Sequence, residues 1–157
     1  NDAILDCCAL LEEPRHCLGI VASARGSFSG RVKIRGEGTQ DWQDPLASGG
    51  SFGLAVTSDW VTRPLEVWSD ARCIIVIEKD GIFNRLVEDG FYNRFVVDRC
   101  TTPPPPILGF YSRIPSILIT GRGFPALAVR ACVHRLAKAL HLPVYGLADC
   151  NPFGECD

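Results

Sequence analysis

The chain has 157 residues, enough for one compact domain or for one domain and part of a second. Hydrophobic residues make up 46% and charged residues 22%, which excludes wholesale disorder. No apolar run reaches the roughly 20 residues a membrane helix needs, and no secretory signal is visible. A net charge of −2 does not by its sum mark a nucleic-acid binder. The chain has no Met and starts at Asn1, so it reads as an internal piece of a longer protein.

In chain order, residues 2–13 have the spacing of a short amphipathic helix closed by Pro14. Residues 16–22 (HCLGIVA) form a compact apolar strand candidate. Gly26 and Gly30 read as a turn into residues 31–35 (RVKIR), whose alternation of charged and apolar side chains predicts a half-exposed strand. Residues 36–53, rich in Gly, Asp, Gln and Ser, read as a loop. Residues 54–70 are ambiguous, with Pro64 interrupting any regular element. Residues 73–77 (CIIVI) form a short continuous apolar run, the pattern of a strand covered on both faces. A short helix follows over 82–89, then a second buried strand over 116–120 (SILIT) and a turn over 121–125. Residues 126–140 form the best helix, with Pro125 at its start. Val129, Cys132, Val133, Leu136 and Leu140 make its apolar face, and Arg130, His134 and Lys138 form a polar stripe. A third apolar strand over 143–148 (PVYGLA) leads into Asp149.

Strand, helix, strand, helix, strand with covered strands predicts an α/β fold with a parallel sheet. In such sheets the working residues lie at the carboxyl ends of strands, where Glu78, the 121–123 loop and Asp149 fall. Residues 96–114, with four consecutive prolines from Pro103 to Pro106, stand where a short loop would suffice. Two readings stay open for this segment: a surface excursion, or a retained intron whose deletion leaves a well-formed helix, loop and strand. None of the eight cysteines is spaced C-x-x-C, so a zinc site is not indicated, and Cys73 and Cys132 fall at positions for buried reduced thiols. Between Lys79 and Ala148, nine basic residues outnumber four acidic ones.

An acid at the tip of a buried strand is costly unless a cation or a hydrogen-bond network holds it. Glu78 and Asp149 both stand at such tips, and two acids on neighbouring strand ends suit Mg²⁺, which takes oxygen ligands and keeps several waters. Asn151 falls on the same side as Asp149 if the chain stays extended, as a weaker third ligand. The plain alternative is that the acids serve as turn or capping residues. A Gly121-x-Gly123 loop before a helix also leaves a phosphate-cradling nucleotide site open, although the third glycine of the dinucleotide fingerprint is absent.

Residues 74–86 (IIVIEKDGIFNRL), 117–130 (ILITGRGFPALAVR) and 142–154 (LPVYGLADCNPFG) resemble the Toprim domain of the topoisomerase VI A subunit family, and more closely its eukaryotic meiotic double-strand-break transesterase branch. Residues 14–30 resemble the segment that joins that family's winged-helix and Toprim domains. The resemblance implies a Toprim fold, a Rossmann-like parallel sheet flanked by helices. It divides the chain into the end of a winged-helix domain (1–16), a connector with short strands (17–70) and a Toprim domain (71–157) shortened at its C-terminus, with 96–114 as an insert. It also implies a mechanism in which a tyrosine attacks a DNA phosphodiester beside Mg²⁺. Glu78 and Asp149 match the first two acids of the motif, and Asn151 stands where many members have a second Asp. Lys79, Arg122 and Arg130 are implied contacts to the DNA backbone. Tyr92, Tyr111 and Tyr145 lie outside the family's nucleophile motif, so the catalytic tyrosine is expected outside this chain. The implied partners are double-stranded DNA, a second copy in a homodimer and a subunit related to the topoisomerase VI ATPase, in the nucleus. A non-catalytic DNA-binding or assembly subunit of the same fold is the alternative, because Asn151 lowers the charge of the ligand set.

Overall fold

A computed structural model of the chain describes residues 2–14, 17–20, 23–91 and 115–149. Its elements are α1 (Asp2–Leu11), β1 (Gly26–Gly30), β2 (Val32–Gly36), α2 (Pro45–Ser48), β3 (Leu54–Val56), α3 (Asp59–Thr62), β4 (Leu65–Ser69), β5 (Cys73–Ile77), α4 (Asp80–Glu88), β6 (Ser116–Thr120), α5 (Leu127–Leu140) and β7 (Val144–Leu147). Five strands form one sheet in the order β3-β1-β6-β5-β7, and β2 and β4 form a separate ribbon.

The parallel plan holds for β6, β5 and β7. It does not extend to β1, which runs antiparallel to both β6 and β3. The sheet is therefore mixed, and it draws strands from both sides of residue 70. Alternation along the central strands sorts side chains to two faces. Ile74, Ile117 and Ile119 join Phe28, Trp60, Val129, Cys132 and Leu136 in one cluster, beneath α5 and α3. Ile77 and Leu118 join Phe83 and Val87 of α4 in a second cluster on the other face. The result is a layer of helix on each side of the sheet.

Several sequence expectations change in three dimensions. The Gly26 to Gly30 segment is not a turn but β1, an interior strand with every residue buried. Its glycine at 26 is a packing residue, because a Cβ there would lie 2.4 Å from Val129 Cγ2 and 2.6 Å from the Thr120 carbonyl oxygen. The described part of the 16–22 strand candidate, residues 17–20, is a turn, with Gly19 at φ 71°. The amphipathic helix is present as α1, but none of its side chains is buried. The ambiguous stretch resolves into β3, α3 and β4, with Pro64 at the break before β4. The 126–140 helix begins at Leu127 and stops at His141, whose left-handed backbone donates its N–H to the Ala137 carbonyl. The segment 96–114 lies outside the described residues.

The strand read as a third covered strand is β7, and it is exposed along its whole length because it closes the sheet on one edge. Tyr145, expected to be buried, is 58% exposed. Cys73 and Cys132 are buried free thiols, and burial raises the pKa of both. A mass-resolved alkylation at neutral pH is therefore expected to label exposed Cys7 well before Cys73 and Cys132. Equal labelling rates in the native protein would contradict that burial.

Candidate metal centre

β5 and β7 run parallel in register, with Ile77 beside Leu147, so the residues that follow each strand emerge side by side. The pairing continues past the strand end, where the Glu78 N–H donates to the Leu147 carbonyl at 3.1 Å. The Asp149 N–H in turn donates to Glu78 Oε2 at 3.0 Å. The second carboxylate oxygen, Oε1, lies 3.3 Å from Lys79 Nζ, and the same ammonium lies 3.0 Å from Asp149 Oδ2. The two acids singled out in the sequence thus converge on one point, and a positive charge occupies it. The Glu78 side chain is 14% exposed, against 44% for Asp149 and 51% for Lys79. Glu78 is the fixed inner ligand of this ion cluster, and the other two stand at its rim. Hydrogen bonding to Asp149, then to Glu78, holds the Lys79 pKa above its ordinary value.

The loop after β6 closes the same end of the sheet. The Gly123 N–H donates to the Glu78 carbonyl at 3.1 Å, and the Arg122 N–H donates to Thr120 Oγ1 at 3.2 Å. Arg122 adopts φ 58°, and its Nε donates to Asp80 Oδ1 at 3.1 Å while one terminal nitrogen donates to Ser27 Oγ at 3.2 Å. These bonds use the amides that a phosphate-cradling loop would offer, so the nucleotide reading loses its donors. Arg130 lies on the first turn of α5 and, with His134, lines a mainly apolar groove of about 600 Å³ that runs from Glu78 between α5 and β7.

Of the sequence-predicted site residues, the fold brings Glu78, Lys79 and Asp149 into contact and places Arg122 beside Asp80 rather than in their cluster. Asn151 lies outside the described residues, as do Tyr92 and Tyr111. Sequence reading missed Asp80 and Ser27, which anchor Arg122; the acid-base-acid run at 78–80 was the one available signal. Among the described residues, no group of three or more His, Cys, Asp or Glu side chains is placed to hold a metal. The donors that do converge fit a hard divalent cation: two carboxylates with oxygen atoms alone, at a point that already accommodates a cation.

An acid-tipped pair of parallel strands, a glycine loop beside it and helices on both faces define a Toprim domain. The particular family is that of Spo11 and the topoisomerase 6 A subunits, whose Toprim-domain model matches residues 108–156. That match starts inside the 96–114 segment and includes Asp149 and Asn151. The chain is 38% identical over 156 residues to Meiotic recombination protein SPO11-2 of Oryza sativa subsp. japonica, covering 98% of this chain and 35% of that one. It is 32% identical over 155 residues to the A subunit of DNA topoisomerase 6 from Arabidopsis thaliana, with 98% of this chain and 31% of that one covered. With Meiotic recombination protein SPO11 of Mus musculus it shares 27% over 154 residues, 98% of this chain and 33% of that one. The chain therefore spans about a third of the length of these curated relatives.

Proposed function

We propose that this chain supplies the metal-binding half of a DNA-cleaving transesterase site, in a topoisomerase VI A/Spo11-type protein that makes meiotic double-strand breaks in the nucleus. The observation that carries this reading is the convergence of Glu78 and Asp149, from adjacent parallel strands, on one cation. The group proposed there is Mg²⁺, which neutralises charge on a phosphodiester as it reacts. Glu78 and Asp149 are its ligands, and Asn151 contributes an amide oxygen in place of a second carboxylate.

The attacking tyrosine comes from outside this chain, from a winged-helix domain whose end is residues 1–16. Residues 17–70 connect that domain to the Toprim domain at 71–157. The working unit is a homodimer, with tyrosine from one protomer and metal from the other, associated with a subunit related to the topoisomerase VI ATPase. Its substrate is double-stranded DNA. Lys79 and Arg130 are the proposed contacts to the phosphate backbone. Arg122 reaches a phosphate only by leaving Asp80 and Ser27, so its contribution is the smallest of the three.

Calorimetric titration of Mg²⁺ into the protein and into Glu78→Gln tests the reading. Binding is expected in the first and a loss of at least about tenfold in affinity in the second, since one carboxylate charge leaves a two-carboxylate site. Equal heats in both would support a non-catalytic subunit of the same fold instead.

A further inference from the structure

We propose that Lys79 is the resident counter-ion of this centre, an ammonium that holds the cation position and that a divalent ion has to displace. The inference rests on the reading of Glu78 and Asp149 as cation ligands, and it adds a residue that competes with the metal rather than binding it. Lys79 Nζ touches an oxygen of each carboxylate, at 3.3 Å and 3.0 Å. A divalent ion bound to those same two oxygens and the ammonium cannot share that point, because like charges at contact distance repel strongly.

The backbone of Lys79 is fixed as the extended residue before α4, with φ −89° and ψ 119°. Its side chain is half exposed and a lysine stem is flexible, so the ammonium can swing to solvent without moving the fold. While it stays, it keeps two acids together that would otherwise repel, and so preserves the metal-ready arrangement. Arg122 cannot take over this role, because Asp80 and Ser27 hold its guanidinium.

The test is a titration of Mn²⁺, followed by its paramagnetic resonance signal, into the intact protein and into K79M, K79R and E78Q. K79M is expected to bind Mn²⁺ about tenfold more tightly than the unaltered protein, a competing charge having been removed at a partly screened site. K79R, which keeps the charge, is expected to bind no more tightly than the unaltered protein. If K79M does not fold, K79Q takes its place in the same comparison. The inference fails if K79M or K79Q binds no tighter than the parent, or if K79R gains as much as K79M, while E78Q loses binding. Undiminished binding in E78Q overturns the metal reading itself, which separates the two failures.

Discussion

Replacing Phe28 with alanine is expected to destabilise the folded chain by about 3–5 kcal/mol, the usual range for deleting a buried aromatic side chain. Phe28 lies in an interior strand, paired with Leu54 on one side and Ile119 on the other, and its side chain has no exposure to solvent. Its ring meets Trp60 edge to face, with centroids 5.6 Å apart and planes at 85°. Trp60 comes from α3 and belongs to the same cluster as Val129 and Leu136 of α5. Phe28 thus joins three elements that the chain order separates, and alanine would leave a cavity walled by rigid strands on both sides, with little room to collapse. Urea denaturation with the slope unchanged is the measurement. A loss below about 1 kcal/mol, the centre of the distribution for ordinary substitutions, would mean that the pocket refills and that the strand is less tightly held than its pairing implies.

The sequence was most legible where composition and environment agree. β5 and β6 are runs of β-branched and aliphatic residues, and they lie inside the sheet with helices on both faces. α5 announces itself by its apolar face and proline start, and Val129, Cys132 and Leu136 are the residues it buries. β1 failed the same reasoning because GSFSG has the composition of a turn. Its small residues serve close approach instead: Gly26 lets α5 and the β6 backbone come near, and Ser27 receives Arg122. β7 failed in the opposite direction. Its residues are apolar enough for a covered strand, but position in the sheet is a global property, and it lies at an edge. Glu78 and Asp149 were legible as acids that follow apolar strands. That Lys79 bridges them was not, because the bridge requires residues 78 and 149 to be neighbours, which follows from the β5 to β7 pairing alone.

The Gly26→Ala substitution is expected to cost about 1–3 kcal/mol, the usual penalty for adding volume to a filled core, although it adds a single methyl group. The new Cβ would meet Val129 Cγ2 at 2.4 Å and the Thr120 carbonyl oxygen at 2.6 Å, and both separations are too short to persist. Val129 can turn or be trimmed; the Thr120 carbonyl belongs to the sheet backbone and cannot move without its strand. A Val129→Ala second substitution is therefore expected to restore part of the stability, and not all of it. The strain also has a direction. Thr120 leads directly into the 121–123 loop, and Ser27, next to the altered residue, accepts a hydrogen bond from Arg122. Displacing Thr120 shifts the loop whose Gly123 N–H fixes the Glu78 carbonyl. A core substitution on the α5 face should thus reach the acids at the strand tips. Thermal melts of the single and double variants, each with and without saturating Mg²⁺, read both effects: a lowered melting temperature, and a smaller rise on adding Mg²⁺ than the parent shows. A variant that melts lower yet gains the full Mg²⁺ increment would confine the strain to the core and uncouple β1 from the metal centre.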